Sequence, residues 1–86
     1  MTMKKTIRHY ILENLLFTED EAVLHDSDSF LDGGIIDSTG VMEIILFIEE
    51  TFGIKVNDNE MLPVNLDSVD NLAAFIMRKQ AVADAA

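Results

Sequence analysis

Apolar residues recur at helical spacing in three segments of this 86-residue chain, and between those segments the period is lost. From about Thr2 to Leu16, Ile7, Tyr10, Ile11 and Leu15 fall three and four apart, with Leu12 and Leu16 widening the stripe. Lys4, Arg8 and Glu13 can face water, so the segment predicts an amphipathic helix whose task is core packing. A second period, Val41, Ile44, Ile45, Ile48 and Phe52, predicts a helix that begins at Asp37 or Ser38 and ends at Phe52. Gly53 then stands where a helix C-cap favours glycine. Leu46 and Phe47 partly cover the flank of this helix, and Glu43, Glu49 and Glu50 occupy its outer arc. A last helix is predicted from Asp67 or Ser68 to about Gln80, with Val69, Leu72, Ala73, Phe75 and Ile76 as its buried stripe. Arg78 and Lys79 suit its C-terminal turn, and residues 81–86 are expected to fray.

The connections differ in kind. Phe17 to Asp37 carries no sustained period, yet a structureless stretch of about 20 residues is unusual in a compact domain. Val23, Leu24, Phe30, Leu31, Ile35 and Ile36 therefore read as pins that hold a packed loop, with a turn of helix at Glu19–Ala22 capped by Thr18. After Gly53, Ile54–Val56 is an extended bridge, and Asn57–Leu62 forms one or two turns that stop near Pro63. The expected architecture is all-α, with three main helices, a short third helix and a long first loop, in one domain spanning 1–86.

Composition narrows the classes. An apolar fraction of 49% supports a folded chain. No cysteine is present, which excludes disulfides, thiolate metal sites and a thiol nucleophile of the chain's own. No apolar run approaches the roughly 18 residues of a membrane span, and a soluble cytoplasmic protein is the expectation. Sixteen acids oppose six bases. From Glu13 to Asp70 the only base is Lys55, against fifteen acids. Such a surface repels nucleic acid and attracts basic protein patches, although acidity also serves simple solubility.

One segment can carry chemistry. Ser38 follows Gly33-Gly34-Ile35-Ile36-Asp37 and opens the second helix, where unpaired backbone N–H groups favour a bound anion. Gly33 and Gly34 let the loop turn, and the two isoleucines clamp it before the serine. Asp37 is either an N-cap for Thr39 or Gly40 or part of a metal site completed by a modifying enzyme, and its charge opposes an anion on Ser38. No histidine or carboxylate is spaced to activate the Ser38 hydroxyl; His9 and His25 lie in the first helix and the loop. If Ser38 reacts, another protein must activate it, and the chain is not an enzyme.

Gly34-Ile35-Ile36-Asp37-Ser38, then Val41-Met42-Glu43-Ile44, then Phe47-Ile48-Glu49-Glu50-Thr51-Phe52-Gly53-Ile54, together resemble the acyl and peptidyl carrier protein family. The resemblance extends over nearly the whole chain, to a final helix opening at Ser68-Val69, and implies an acyl-carrier-like four-helix bundle. It implies that Ser38 receives 4′-phosphopantetheine from coenzyme A through a magnesium-dependent phosphopantetheinyl transferase, which would recognise Asp37. Acyl or aminoacyl groups would then be held as thioesters on that arm, loaded by an adenylating ligase and passed to downstream transfer enzymes. It further implies that Thr39, Gly40, Met42, Glu43, Glu49 and Glu50 bind those partners. Carriers of fatty acid synthesis usually have leucine after the serine, where Thr39 stands here. The Gly-x-Ile-Asp-Ser form is more similar to discrete carriers paired with an adenylating ligase.

Two other readings compete. Asp26, Asp28, Asp32 and Asp37 fall at positions one, three, seven and twelve of an EF-hand-like window. That window lacks the glycine at six and the glutamate at twelve that a calcium loop needs, so no metal site is expected. The second reading is an unmodified acidic helical adaptor that binds a basic partner through the same glutamates.

Overall fold

The computed structural model describes residues 2–85 and the side chains of residues 2–81. Helix α1 spans Met3–Asn14, α2 Ser38–Phe52, α3 Pro63–Leu66 and α4 Val69–Ala85, with 3-10 turns at Glu21–Val23 and Asp58–Glu60. No strand occurs among the described residues. No helix among them is long and apolar enough to cross a membrane.

The caps explain where the helices begin and end. Thr2 Oγ1 accepts from the Lys5 amide and starts α1. Gly53 ends α2 with φ 67°, a left-handed conformation that favours glycine, while its N–H donates to the Glu49 carbonyl. Ser68, itself buried, accepts from Asn71 N at 3.0 Å and fixes the start of α4. Helix α4 continues past the expected end near Gln80 to Ala85. Arg78 and Lys79 are consequently interior to it: Arg78 donates to Asn65, and Lys79 pairs with Glu60 at 2.7 Å. Of the tail expected to fray, Ala86 lies outside the described residues.

The predicted stripes meet in one core. Ile7 and Ile11 of α1, Ile44 and Ile48 of α2, and Val69, Leu72 and Ile76 of α4 are fully or almost fully buried. Tyr10 stacks on Phe47 with centroids 4.0 Å apart, which closes the α1–α2 flank. Two local expectations are corrected. The turn in the first loop is Glu21–Val23, capped by Asp20, because the Asp20 carboxylate reaches the Ala22 amide while Thr18 caps only Asp20. Pro63 does not stop a helix; it opens α3, where its missing N–H costs nothing.

The long loop is held by hydrogen bonds as much as by apolar pins. Leu24, Phe30 and Ile36 are buried as expected, but Val23 and Leu31 are about half exposed, at 49% and 47%. Their places are taken by polar clamps. Arg8 reaches out of α1 and donates to the Leu24 carbonyl at 2.6 Å, the Glu21 carbonyl at 2.9 Å and Asp26 at 3.0 Å. At the α3–α4 corner, Asp67 accepts from Leu31 N at 3.0 Å and from Ser29 Oγ, while its carbonyl takes Phe30 N at 2.8 Å. Phe30 O in turn accepts both Ile35 N and Ile36 N. This chain of bonds ends one residue short of Asp37, and so delivers the loop to the start of α2.

Candidate functional site

Asp37 has extended backbone and is the N-cap of α2; its Oδ1 accepts from Gly40 N at 2.8 Å. Its carbonyl takes Val41 N at 3.0 Å. The carboxylate is thereby turned back onto its own helix. Ser38 and Thr39 stand exposed between these two closures, and their amides belong to the open first turn of the helix.

Among the described residues, no histidine is paired with the Ser38 hydroxyl. His9 pairs with Glu13 at 3.1 Å, His25 lies 4.0 Å from Asp28, and both pairs are remote from the start of α2 in the sequence. Three of the four carboxylates of the calcium-like window are also engaged elsewhere: Asp26 with Arg8, Asp28 with the His25 amide and Asp37 with Gly40. Ser38 thus stands exposed at the start of the helix, where the first-turn amides have no partner within the helix. That arrangement fits a phosphodiester linked to the serine oxygen, and a reaction whose base comes from another protein.

Of the residues that resemblance marks as partner contacts, Thr39, Met42, Glu43 and Glu50 lie exposed along one side of α2. Their spacing of three, one and seven residues keeps them on neighbouring rows of a helix. Two others do not belong there. Glu49 is half-buried, and its Oε2 accepts from the amide of buried Val56 at 2.9 Å, so it ties the Ile54–Val56 bridge to α2. Gly40 is buried: a side chain there would be driven into Ile36 Cγ2. Its lack of a side chain answers to close packing against Ile36.

The exposed strip contains a residue that sequence reasoning assigned to the flank. Leu46 is 61% exposed between Met42 and Glu50, and Leu62 and Val64 add further exposed apolar surface around α3. No periodic signal could have shown this, because Leu46 sits beside the buried stripe and only the course of the chain decides whether anything covers it. Tyr10, at the edge of the strip, has its hydroxyl pKa raised, first by burial and then by the nearby negative charge of Glu43. Beside Ser38, a groove of about 460 Å³ is bordered by Phe17, Ile35, Asp37, Thr39 and Glu43. A smaller, more apolar slot of about 220 Å³ lies between Leu31, Val41, Met61, Leu62 and Leu66.

Comparison with known proteins agrees with this geometry. The family described as phosphopantetheine attachment site matches residues 5–76. D-alanyl carrier proteins of Streptococcus pyogenes, from serotype M5 (strain Manfredo) and serotype M1 among others, are 40% identical over 60 residues, covering 70% of this chain and 72% of theirs. The solution structure of a holo acyl carrier protein from Nitrosomonas europaea superposes with a TM-score of 0.73 at 27% identity, covering 94% of this chain and 99% of that one. The unmodified adaptor is therefore not favoured. The chain belongs to the phosphopantetheine attachment family: it is a non-catalytic helical carrier that holds its cargo as a thioester on a covalent 4′-phosphopantetheine arm.

Proposed function

We propose that Ser38 is the attachment residue and that the cargo is an aminoacyl group, with D-alanine the first to test. The observation that carries this reading is the exposed Ser38 hydroxyl at the first position of α2, with the one adjacent carboxylate, Asp37, withdrawn onto Gly40 N. The D-alanyl carriers among its relatives and Thr39 in place of leucine support the aminoacyl cargo.

In the modification, Ser38 Oγ bonds to the phosphorus of the coenzyme A pantetheine phosphate. The bond from that phosphorus to adenosine 3′,5′-bisphosphate breaks, and the hydroxyl proton passes to a base of the transferase. When bound, the arm supplies a terminal thiol on which cargo is held as a thioester. The chain's own residues contribute position and charge. Asp37 caps the helix and fixes the serine, while Thr39, Met42, Leu46, Glu43 and Glu50 offer a strip of mixed apolar and acidic character. Such a strip suits rapid, modest-affinity encounters with basic partners: the phosphopantetheinyl transferase, an adenylating ligase and a downstream acceptor enzyme. In this reading the whole chain acts as one carrier domain in the cytoplasm, where coenzyme A is available.

Intact mass after incubation with coenzyme A, magnesium and a broad-specificity phosphopantetheinyl transferase tests the attachment. A gain of one arm that Ser38→Ala abolishes is expected. No gain, under conditions that modify a control carrier, refutes it. Loading of the holo protein with D-alanine by an adenylating ligase then tests the cargo, again by mass. Loading with a fatty acid but with no amino acid overturns that part.

A further inference from the structure

We propose that Ile36 and Gly40 are a positioning pair that fixes how Ser38 is presented to its modifying enzyme. The inference rests on the reading of Ser38 as the attachment residue and adds to it the two residues that hold the serine in place.

Five consecutive residues form the unit. Its first member, Ile36, is buried at 6% exposure, and its N–H donates to the Phe30 carbonyl at 3.2 Å, so neither backbone nor side chain is free to retreat. Its last member, Gly40, is closed on two sides. The Asp37 carboxylate takes its N–H at 2.8 Å, and the Ile36 side chain occupies the space where a Cβ would stand. Asp37, Ser38 and Thr39 are exposed between them, and of these Asp37 is tied down by its carboxylate. The Ile36–Gly40 contact therefore bridges the attachment turn from inside, and any misfit in it is passed to the two residues with the most freedom to move.

The contact is selective in a way that permits a reciprocal test. A Cβ at position 40 meets Asp37 Oδ1 at 3.5 Å, an ordinary contact, so the obstacle is the Ile36 Cγ2 methyl. Gly40→Ala adds a methyl against it. Ile36→Leu removes the β-branch at nearly constant volume, leaving a gap over Gly40. The double variant returns a methyl to that gap.

The experiment measures kcat and KM for transfer of the arm by intact mass, together with circular dichroism and ¹⁵N–¹H spectra, on wild type, both single variants and the double variant. Gly40→Ala is expected to lower kcat/KM by about tenfold or more, since a small misplacement of a reacting atom costs that much. The loss should fall mainly on kcat, and the Ser38 and Thr39 amide resonances should move more than those of the rest of α2. Ile36→Leu should show a smaller loss of the same kind, and it reads the contact even where Gly40→Ala does not fold. The double variant should recover to within about threefold of wild type, because contacting residues couple non-additively. Single variants as fast as wild type, or a double variant no faster than Gly40→Ala, overturn the proposal; the second result would mean that the added methyl meets the enzyme directly. Modification that persists in Ser38→Ala overturns the attachment reading instead, and the amide resonances still show whether the Ile36–Gly40 contact governs the turn.

Discussion

Replacing Arg8 by methionine should cost this protein about 3 kcal/mol, through the loop and not through the helix that carries the arginine. The guanidinium is largely covered, with 14% of its side chain exposed, and it donates to two loop carbonyls and to Asp26. Hydrogen bonds to a charged group contribute roughly 1.5–3 kcal/mol each, and three made by one group do not add in full. Methionine keeps the apolar stem and the helix propensity, so the loss isolates the head group. Leu24 is wholly buried, so its carbonyl has little access to water once the donor is removed. With an unfolding entropy near 2.1 cal/mol/K per residue, 86 residues convert about 3 kcal/mol into a fall in Tm of roughly 17 °C. Urea unfolding followed by circular dichroism measures the free energy directly. Arg8→Lys, which keeps the charge but loses the fork, should fall between the two. A loss below about 1 kcal/mol for Arg8→Met would show that this is only a surface ion pair and that the loop is held by its apolar pins alone.

The two neighbouring glutamates of α2 should separate: Glu49→Ala destabilises by about 1–2 kcal/mol in urea unfolding because Val56 N loses its acceptor, whereas Glu50→Ala stays within about 0.5 kcal/mol. Phe17 has φ 54° and is 83% exposed, so Phe17→Gly relieves left-handed strain with little loss of burial and should raise stability by about 0.5 kcal/mol in the same assay. The Glu60 carboxyl pKa is lowered from its ordinary value of 4.5, first by the Lys79 hydrogen bond and then by the Asn57 amide. A carboxylate with a depressed folded-state pKa stabilises the fold above its unfolded value and loses that contribution as pH falls through the folded value. Thermal scans should therefore show wild type losing its margin over Glu60→Gln as pH drops below 4.5, and an unchanged margin would refute the linkage.

How much of this was legible beforehand differs from element to element. The stripes of α1, α2 and α4 were read correctly because the period of a helix repeats in the sequence itself. The same holds for the Gly53 stop, whereas the helix starts were narrowed to Asp37 or Ser38 and to Asp67 or Ser68, since a cap and the amide it satisfies lie within three or four residues. The loop was legible only in part. Its pins Leu24, Phe30 and Ile36 are buried, but Val23 and Leu31 are not, and the Arg8 and Asp67 clamps that replace them join residues 16 and 36 apart. No local pattern marks an arginine as the holder of a carbonyl on another segment.

The candidate site divides in the same way. Ser38 at the start of α2, Asp37 as its cap, and the acidic, helical, cysteine-free character of the chain follow from short-range pattern and composition, which the sequence determines by itself. Only the tertiary structure decided that Glu49 bonds to the bridge, that Leu46 stays open on the strip, and that the space over Gly40 is filled by Ile36. Each of these depends on which segment comes to lie against a given face of α2. That is settled by packing and by hydrogen bonds across the fold, whereas a helix period states only which residues share a face.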